Sequence, residues 1–236
     1  MKIEPIATMH TNLTGKFGLP RQAGVVPELS GVIEFEKAYR SSDALRGLEG
    51  FSHIWLIWGF SESVIEEKHG FFGDAPYSPT VRPPRLGGNE RRGVFATRSP
   101  YRPNDLGLSV VKLERVELGA EPKLYVSGVD LMDGTPIYDI KPYMPYSDAI
   151  PTATEGWVCA APELKLSIAN RDFLHEQCVA AGLDEEMETE LAGILRNDPR
   201  PQYQHDPDRV YGLTYGGHDV KFKISENSVV TILVIE

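Results

Sequence analysis

Through its first 150 residues the chain never sustains a helical period. Short runs rich in β-branched and aromatic residues succeed one another at 3–8, 31–35, 51–60, 93–97, 108–118, 123–129 and 136–140, with Pro or Gly at nearly every junction. Parallel strands need crossovers of a dozen or more residues, normally helical, and these connections carry almost no helix. The pattern therefore predicts a barrel or a sandwich and argues against a βαβ sheet. The one helical signal is Ser41-Ser42 ahead of DALRGL, which reads as a capped short helix.

The texture changes after Pro151. Apolar residues recur at helical spacing over 162–180 (Leu164, Ile168, Phe173, Val179) and 184–196 (Met187, Leu191, Ile194, Leu195), and two strands follow at 218–225 and 228–235, joined at Glu226-Asn227. The expected fold is mainly β: an N-terminal β-barrel or sandwich over 1–150, then a small α+β domain over 151–236.

Charge looks wrong for a nucleic-acid partner, since phosphate binding draws on Lys and Arg and this chain carries a formal net charge of -10. The distribution reverses that impression. Residues 1–149 hold 17 basic and 19 acidic side chains, and residues 150–236 hold 7 and 15. Positions 82–102 alone contain six of the 14 arginines against a single acid, Glu90, which makes a local electropositive site on an acidic protein. No run of 18 apolar residues occurs, and MKIEPIATMH lacks the basic and apolar regions of an export signal, so a soluble cytoplasmic protein is expected. The two cysteines, Cys159 and Cys178, form no CxxC or Cys/His cluster, and no metal site is expected.

Four segments stand out chemically. GLPRQAG (18–24) presents Arg21 and Gln22 on a loop stiffened by Pro20. TVRPPRLGGNERRGVFATRSPYRPN (80–104) places guanidinium groups on rigid loops, suited to phosphate forks and base stacking. SGVDLMDGTPIYDIKPYMPY (127–146) interleaves Asp130, Asp133 and Asp139 with Lys141, Tyr143 and Tyr146, and NDPRPQY (197–203) ends the second predicted helix with Arg200 and Tyr203. Each also has an ordinary structural use: a polar turn, a solvated charged loop, an Asp-Gly hairpin, a helix stop. No GxGxxG opens a βαβ unit, and no Walker loop, GxSxG or HExxH occurs, so common nucleotide and hydrolase sites are unsupported.

PRQ at 20–22, RGLEGFSHIWLI at 46–57, TVRPPRLGGN at 80–89, GVFATRSPYRPN at 93–104, VDLMDGTPIYDIKPYMP at 129–145 and NDPRPQY together resemble the TsaA/YaeB family, whose bacterial members are called TrmO. The resemblance runs in order along nearly the whole chain. It implies a non-Rossmann barrel that binds S-adenosylmethionine, acting as a homodimer with the cofactor near the subunit interface, and a smaller α+β domain behind it. It further implies methylation of N6 of N6-threonylcarbamoyladenosine, immediately 3′ of the anticodon in the tRNA anticodon loop, with no metal and no membrane association.

Carried onto this sequence, the cofactor pocket would use Pro20, Arg21, Gln22, Ser61, Glu62, Arg98, Leu108, Val110, Asp130, Leu131, Met132 and Asp133. Asp133, Lys141 and Tyr143 would line the acceptor side, and Arg85, Arg91, Arg92, Arg102, Arg200 and Tyr203 would meet tRNA. The chain departs from the family at Ala7–Thr11, where an Ile-x-Ser-Pro turn is usual, at Ser61, where His is expected, and at 63–79, a longer loop. Competing expectations are a non-catalytic barrel that binds S-adenosylmethionine or tRNA, and a methyltransferase for another small substrate.

Overall fold

The computed structural model describes residues 2–60, 77–83, 90–160, 165–200, 204 and 206–236. Six antiparallel strands close into a barrel: β1 (Ala7–His10), β2 (Ser30–Phe35), β3 (His53–Gly59), β6 (Leu106–Glu117), β7 (Lys123–Ser127) and β8 (Thr135–Pro142), in the order β1-β2-β7-β6-β3-β8. Two-residue strands β4 (Thr80–Val81) and β5 (Arg92–Gly93) pair with each other outside it. Of the two alternatives left by the sequence, the barrel is the one that forms.

Alternation along each strand fills the interior. Met9, Ile33, Ile54, Leu56, Val111, Leu124, Val126 and Ile137 are fully buried, while their chain neighbours point outward. Because every barrel pair is antiparallel, successive connections leave from alternate rims. The connections 11–29, 60–105 and 128–134 share one rim, here the upper. The connections 36–52 and 118–122, with the chain after Pro142, belong to the lower.

A second sheet, β10 (Tyr211–Tyr215), β11 (His218–Ile224), β12 (Val229–Ile235) and β9 (Ser167–Ile168) in that order, packs against helices α1 (Arg171–Ala181) and α2 (Glu185–Arg196). Asp184 caps α2 by accepting from the Met187 amide at 2.9 Å, and Glu185, Glu186 and Glu188 in its first turn suit the positive end of the helix dipole. α1 ends at Gly182, whose φ of 74° is the left-handed geometry that a helix C-cap takes up and glycine tolerates.

Four local expectations differ. The short helix expected behind Ser41-Ser42 is a 3-10 turn, Ser42–Leu45, and the Ser41 side chain does not cap it. The 93–97 run becomes β5 plus a 3-10 turn at Val94–Ala96. The first C-terminal helix starts at Arg171 because 167–168 is drawn into the sheet as a parallel partner of β12. β10 was not foreseen, although Tyr211, Leu213 and Tyr215 alternate inward as a strand requires. Among the described residues no helix is long and apolar enough to cross a membrane.

The two units share one buried joint. Glu190 on α2 is 1% exposed; it accepts from the Ser30 amide at 2.9 Å, from the Ser30 hydroxyl, from Asn12 Nδ2 at 3.2 Å and from the Tyr215 hydroxyl at 2.5 Å. Backbone follows suit, with Gly216 N donating to Asn12 O at 2.8 Å. The small unit is thus bolted to the upper rim.

Candidate functional site

The upper rim gathers residues from all four segments singled out by sequence. Arg98 Nη1 donates to Gln22 Oε1, and Arg21 Nη2 donates to the Arg200 carbonyl at 2.9 Å. Pro20 is buried and stiffens this loop from below. In the third segment Asp130 accepts from Ser109 Oγ at 2.6 Å, and that oxygen accepts from Trp58 Nε1 at 3.0 Å. The indole can lie there because position 107 is glycine: a Cβ on Gly107 would stand 2.2 Å from the Trp58 ring. Burial pushes the Asp130 carboxyl above its ordinary value, against hydrogen bonds from Ser109, its own amide and the Ala23 amide, and the charge of Arg98. A half-buried acid facing a guanidinium and an amide is a donor set suited to a zwitterionic, cationic ligand.

Leu131 is 1% exposed, so it underlies the pocket without opening onto it; its carbonyl accepts from Thr11 Oγ1 at 3.3 Å. The half-buried Met132 uses its carbonyl to cap Thr135 Oγ1 at 2.7 Å. Asp133 opens the turn into β8: its amide donates to Leu13 O at 2.8 Å, and its Oδ1 accepts from the Thr11 amide at 3.3 Å and pairs with His10 Nδ1 at 3.1 Å.

Leu108 and Val110 are not part of this pocket within one chain. They stand on the outer face of β6, opposite Ile57 and Trp55 of β3, and Ser109 between them is the residue that points inward. The proposed acceptor trio is also split. Lys141 and Tyr143 lie on the lower rim, where Tyr143 packs 6.3 Å from His53 and 5.8 Å from Trp55 and Lys141 pairs with Asp139 at 3.3 Å. From Thr135 to Lys141, β8 rises about 3.3 Å per residue, roughly 20 Å away from Asp133.

Beside the Arg98–Gln22 pair opens a cavity of about 650 Å³ whose walls include Arg21, Arg82, Arg91, Arg98, Tyr101 and Trp157. Arg91 Nη1 is steadied by Thr80 Oγ1 at 2.8 Å, and Trp157 Nε1 donates to the Ala96 carbonyl at 2.9 Å. Arg92 instead pairs with Glu90 at 2.6 Å, and Arg102 braces its own loop through the Thr97 carbonyl at 2.7 Å while lying over Phe95. Arg200 is a correction. It is 6% exposed and forks onto Asp198 at 2.8 and 3.0 Å, so its guanidinium is a buried strut for the Arg21 loop and has no open face for RNA. Ser61, Glu62, Arg85, Tyr203 and most of the 63–79 loop lie outside the described residues.

Sequence reasoning missed Ser109, Trp58, Tyr101, Trp157 and Glu190. Strand alternation in β6 was signal enough for Ser109; an aromatic in an irregular linker, as at Trp157, carries no period to read.

Residues 8–149 match the model of the tRNA-methyltransferase O N-terminal domain, and residues 165–236 match that of the TrmO C-terminal domain. The chain is 33% identical over 231 residues to a tRNA (adenine(37)-N6)-methyltransferase of Escherichia coli strain K12, covering 95% of this chain and 94% of that one. It is 37% identical over 234 residues to a putative S-adenosylmethionine-dependent methyltransferase, RcsF, of Pseudomonas aeruginosa, covering 98% and 96%. The crystal structure of TrmO from Pseudomonas aeruginosa superposes with a TM-score of 0.74 at 31% identity, over 100% of this chain and 98% of that one. With its barrel and its small α+β unit each matched in turn, this chain belongs to the TrmO family of tRNA methyltransferases.

Proposed function

We propose that this chain transfers a methyl group from S-adenosylmethionine to N6 of adenosine 37 in tRNA, with N6-threonylcarbamoyladenosine of the anticodon loop as the acceptor. The observation that carries the reading is the upper-rim cluster in a chain of this family: a half-buried Asp130 held by Ser109 and facing Arg98, which donates to Gln22, next to an arginine-lined cavity. The cofactor supplies an electrophilic sulfonium methyl when bound. Asp130 would offset its positive charge, and Arg21 or Arg98 would pair with its carboxylate. Catalysis by the protein is then chiefly positioning and charge placement. A urea-like N–H is more acidic than an ordinary adenine amine, so modest help from a carboxylate or phenol suffices to take its proton.

The active unit in this reading is a homodimer. Leu108, Val110, Ile57 and Trp55 make an apolar strip on the outer barrel wall, with Leu108 54% exposed, next to Tyr143 and the 86% exposed Tyr146. Such a strip is unusual on a monomer. A second copy docked there would bury it, and would allow Lys141 and Tyr143 of one subunit to serve a pocket whose Asp130 and Asp133 belong to the other. Leu108 and Val110 would then flank the cofactor across the interface.

The test is incubation with methyl-labelled cofactor and total tRNA from cells with and without the threonylcarbamoyl modification. Label should enter only the modified tRNA. Equal labelling of both pools would reject the acceptor, and no labelling of either would reject methyl transfer to tRNA.

A further inference from the structure

We propose that the cavity between residues 78–83, 91–101 and Trp157 is a nucleotide subsite for single-stranded RNA flanking the acceptor base, in which Trp157 is the stacking wall. The inference rests on the tRNA reading above; the cavity shares Arg21, Gln22 and Arg98 with the cofactor cluster and adds Arg82, Tyr101 and Trp157 beside it.

Charge is the first argument. On a chain of net charge -10, the cavity is walled by Arg21, Arg82, Arg91 and Arg98, and no Asp or Glu is among the described residues that line it. Four guanidinium groups brought around one space repel one another, and an anionic ligand relieves that cost. Asp130 and Ser109, which suit a cationic ligand, are not among those lining residues, so the two chemistries are segregated on either side of the Arg98–Gln22 pair.

Shape and aromatic content then narrow the anion. A volume near 650 Å³ lies within the range of about 300–1,000 Å³ typical of small-ligand sites, far more than a lone phosphate fills. Tyr101 and Trp157 add π-faces, and Pro83 and Pro100 add apolar wall. Guanidinium groups beside aromatic rings are the combination by which proteins hold unpaired nucleotides: phosphates on the arginines, bases on the rings.

Continuity of the surface points to a strand and not a free nucleotide. Trp157 is tied through its Nε1 to the Ala96 carbonyl, and the neighbouring Phe95 is 69% exposed, stacked on Tyr77 at 6.2 Å with Arg102 5.9 Å over its ring. A second stacking platform therefore stands one residue from the anchor of the first. Trp157 also comes from outside the barrel, so the subsite is complete only when the linker is docked.

The experiment measures binding of a fluorescent 17-nucleotide anticodon stem-loop RNA, designed on the order of one single-stranded loop in size, across a salt series, alongside cofactor calorimetry and thermal melts. Trp157→Ala should weaken RNA binding roughly tenfold or more while the salt slope persists; Trp157→Phe should retain most of the affinity. Arg82→Ala with Arg91→Ala should instead flatten the salt slope, by up to about two phosphate contacts. Cofactor affinity should stay within about twofold in each, as Trp157, Arg82 and Arg91 lie on the far side of the Arg98–Gln22 pair from Asp130. The inference is overturned if Trp157→Ala binds RNA like the parent, if its loss falls on cofactor affinity, or if the double arginine variant keeps the full salt slope. Labelling of modified tRNA by the parent protein tests the underlying reading separately: a parent that methylates with an indifferent Trp157→Ala variant sinks the subsite alone.

Discussion

Replacing Glu190 by Ala should uncouple the two units of the fold. The carboxylate is 1% exposed and satisfies donors from three places at once: Ser30 at the start of β2, Asn12 in the first upper-rim loop and Tyr215 at the end of β10. Burial, then the adjacent Glu190 charge, pushes the Tyr215 phenol far above its ordinary value, so it remains a donor at any working pH. Truncation removes the shared acceptor, although Asn12 Nδ2 still has the Tyr215 hydroxyl oxygen at 3.4 Å. The two hydroxyls can turn to a water admitted into the space, but the Ser30 amide is fixed, and a stranded buried donor costs about 1–3 kcal/mol. The expected loss is therefore roughly 1–3 kcal/mol, a sizeable part of a typical domain's stability. Glu190→Gln keeps one acceptor for Ser30 but turns an NH2 toward the Asn12 NH2, and should lose about 1–2 kcal/mol. Urea unfolding followed by far-ultraviolet circular dichroism measures both. For Glu190→Ala we also expect the transition to split, the small unit melting first, and cofactor affinity to fall because Asn12 neighbours the Thr11 and Leu13 groups that hold Asp133. A single transition within about 1 kcal/mol of the parent would refute the reasoning, since it would mean the joint carries no net energy.

Asp130→Asn should bind cofactor more weakly yet melt no lower at neutral pH. Burial raises the Asp130 carboxyl above its usual 3.8, so its ionisation costs stability as pH rises through the folded value, and the variant's advantage should vanish in acid below 3.8; a lower melting temperature at neutral pH with intact cofactor affinity would contradict the assignment. His175 is raised above 6.5 by its hydrogen bond to Glu188 at 2.7 Å, which ties α1 to α2. Its contribution is complete below 6.5 and is lost as pH rises through the folded value, so His175→Ala should lower the melting temperature in mildly acid buffer and leave it unchanged in alkaline buffer; equal effects at both would point to packing. Finally, Asp130→Ala and Lys141→Ala proteins, each impaired alone, should recover methylation when unfolded and refolded together, because a mixed dimer holds one pocket with both native residues. Light scattering should give twice 26.2 kDa, and additive inactivity in the mixture would confine the site to one chain.

The barrel was legible because period-2 alternation is a local property: each strand announces its buried face, and antiparallel pairing needs only short connections. Motif reading failed where the direction of a single side chain decides. Arg200 looks like an RNA contact in NDPRPQY, but Asp198 two residues earlier forks it inward and the Arg21 side chain uses its carbonyl. Leu108 and Val110 were placed in the pocket although Ser109 is the residue between them that faces in; a one-residue step along a strand exchanges inside for outside. Glu190 reads as one more acid on a solvated helix face. Its spacing says otherwise, because Met187, Glu190 and Ile194 fall at i, i+3 and i+7, one stripe of the helix, and a lone charge inside an apolar stripe marks a buried partner.

The division of the acceptor trio was, in contrast, within reach of the sequence. In an all-antiparallel barrel each strand reverses the direction of the last, so connections that are an odd number of strands apart lie at opposite ends. The loop holding Asp133 enters β8, and Lys141 and Tyr143 sit where β8 leaves, hence on opposite rims whatever the strand order. Had the three been required to act in one chain, the strand between them would have excluded it. In the proposed homodimer a second copy would keep Asp130, Asp133, Lys141 and Tyr143 compatible with one reaction, and the exposed strip of Leu108 and its neighbours lies on β6 and on β3, the latter paired with β8. On that proposal the apolar strip and the split site are two consequences of one arrangement, which is why the mixed-dimer experiment tests both at once.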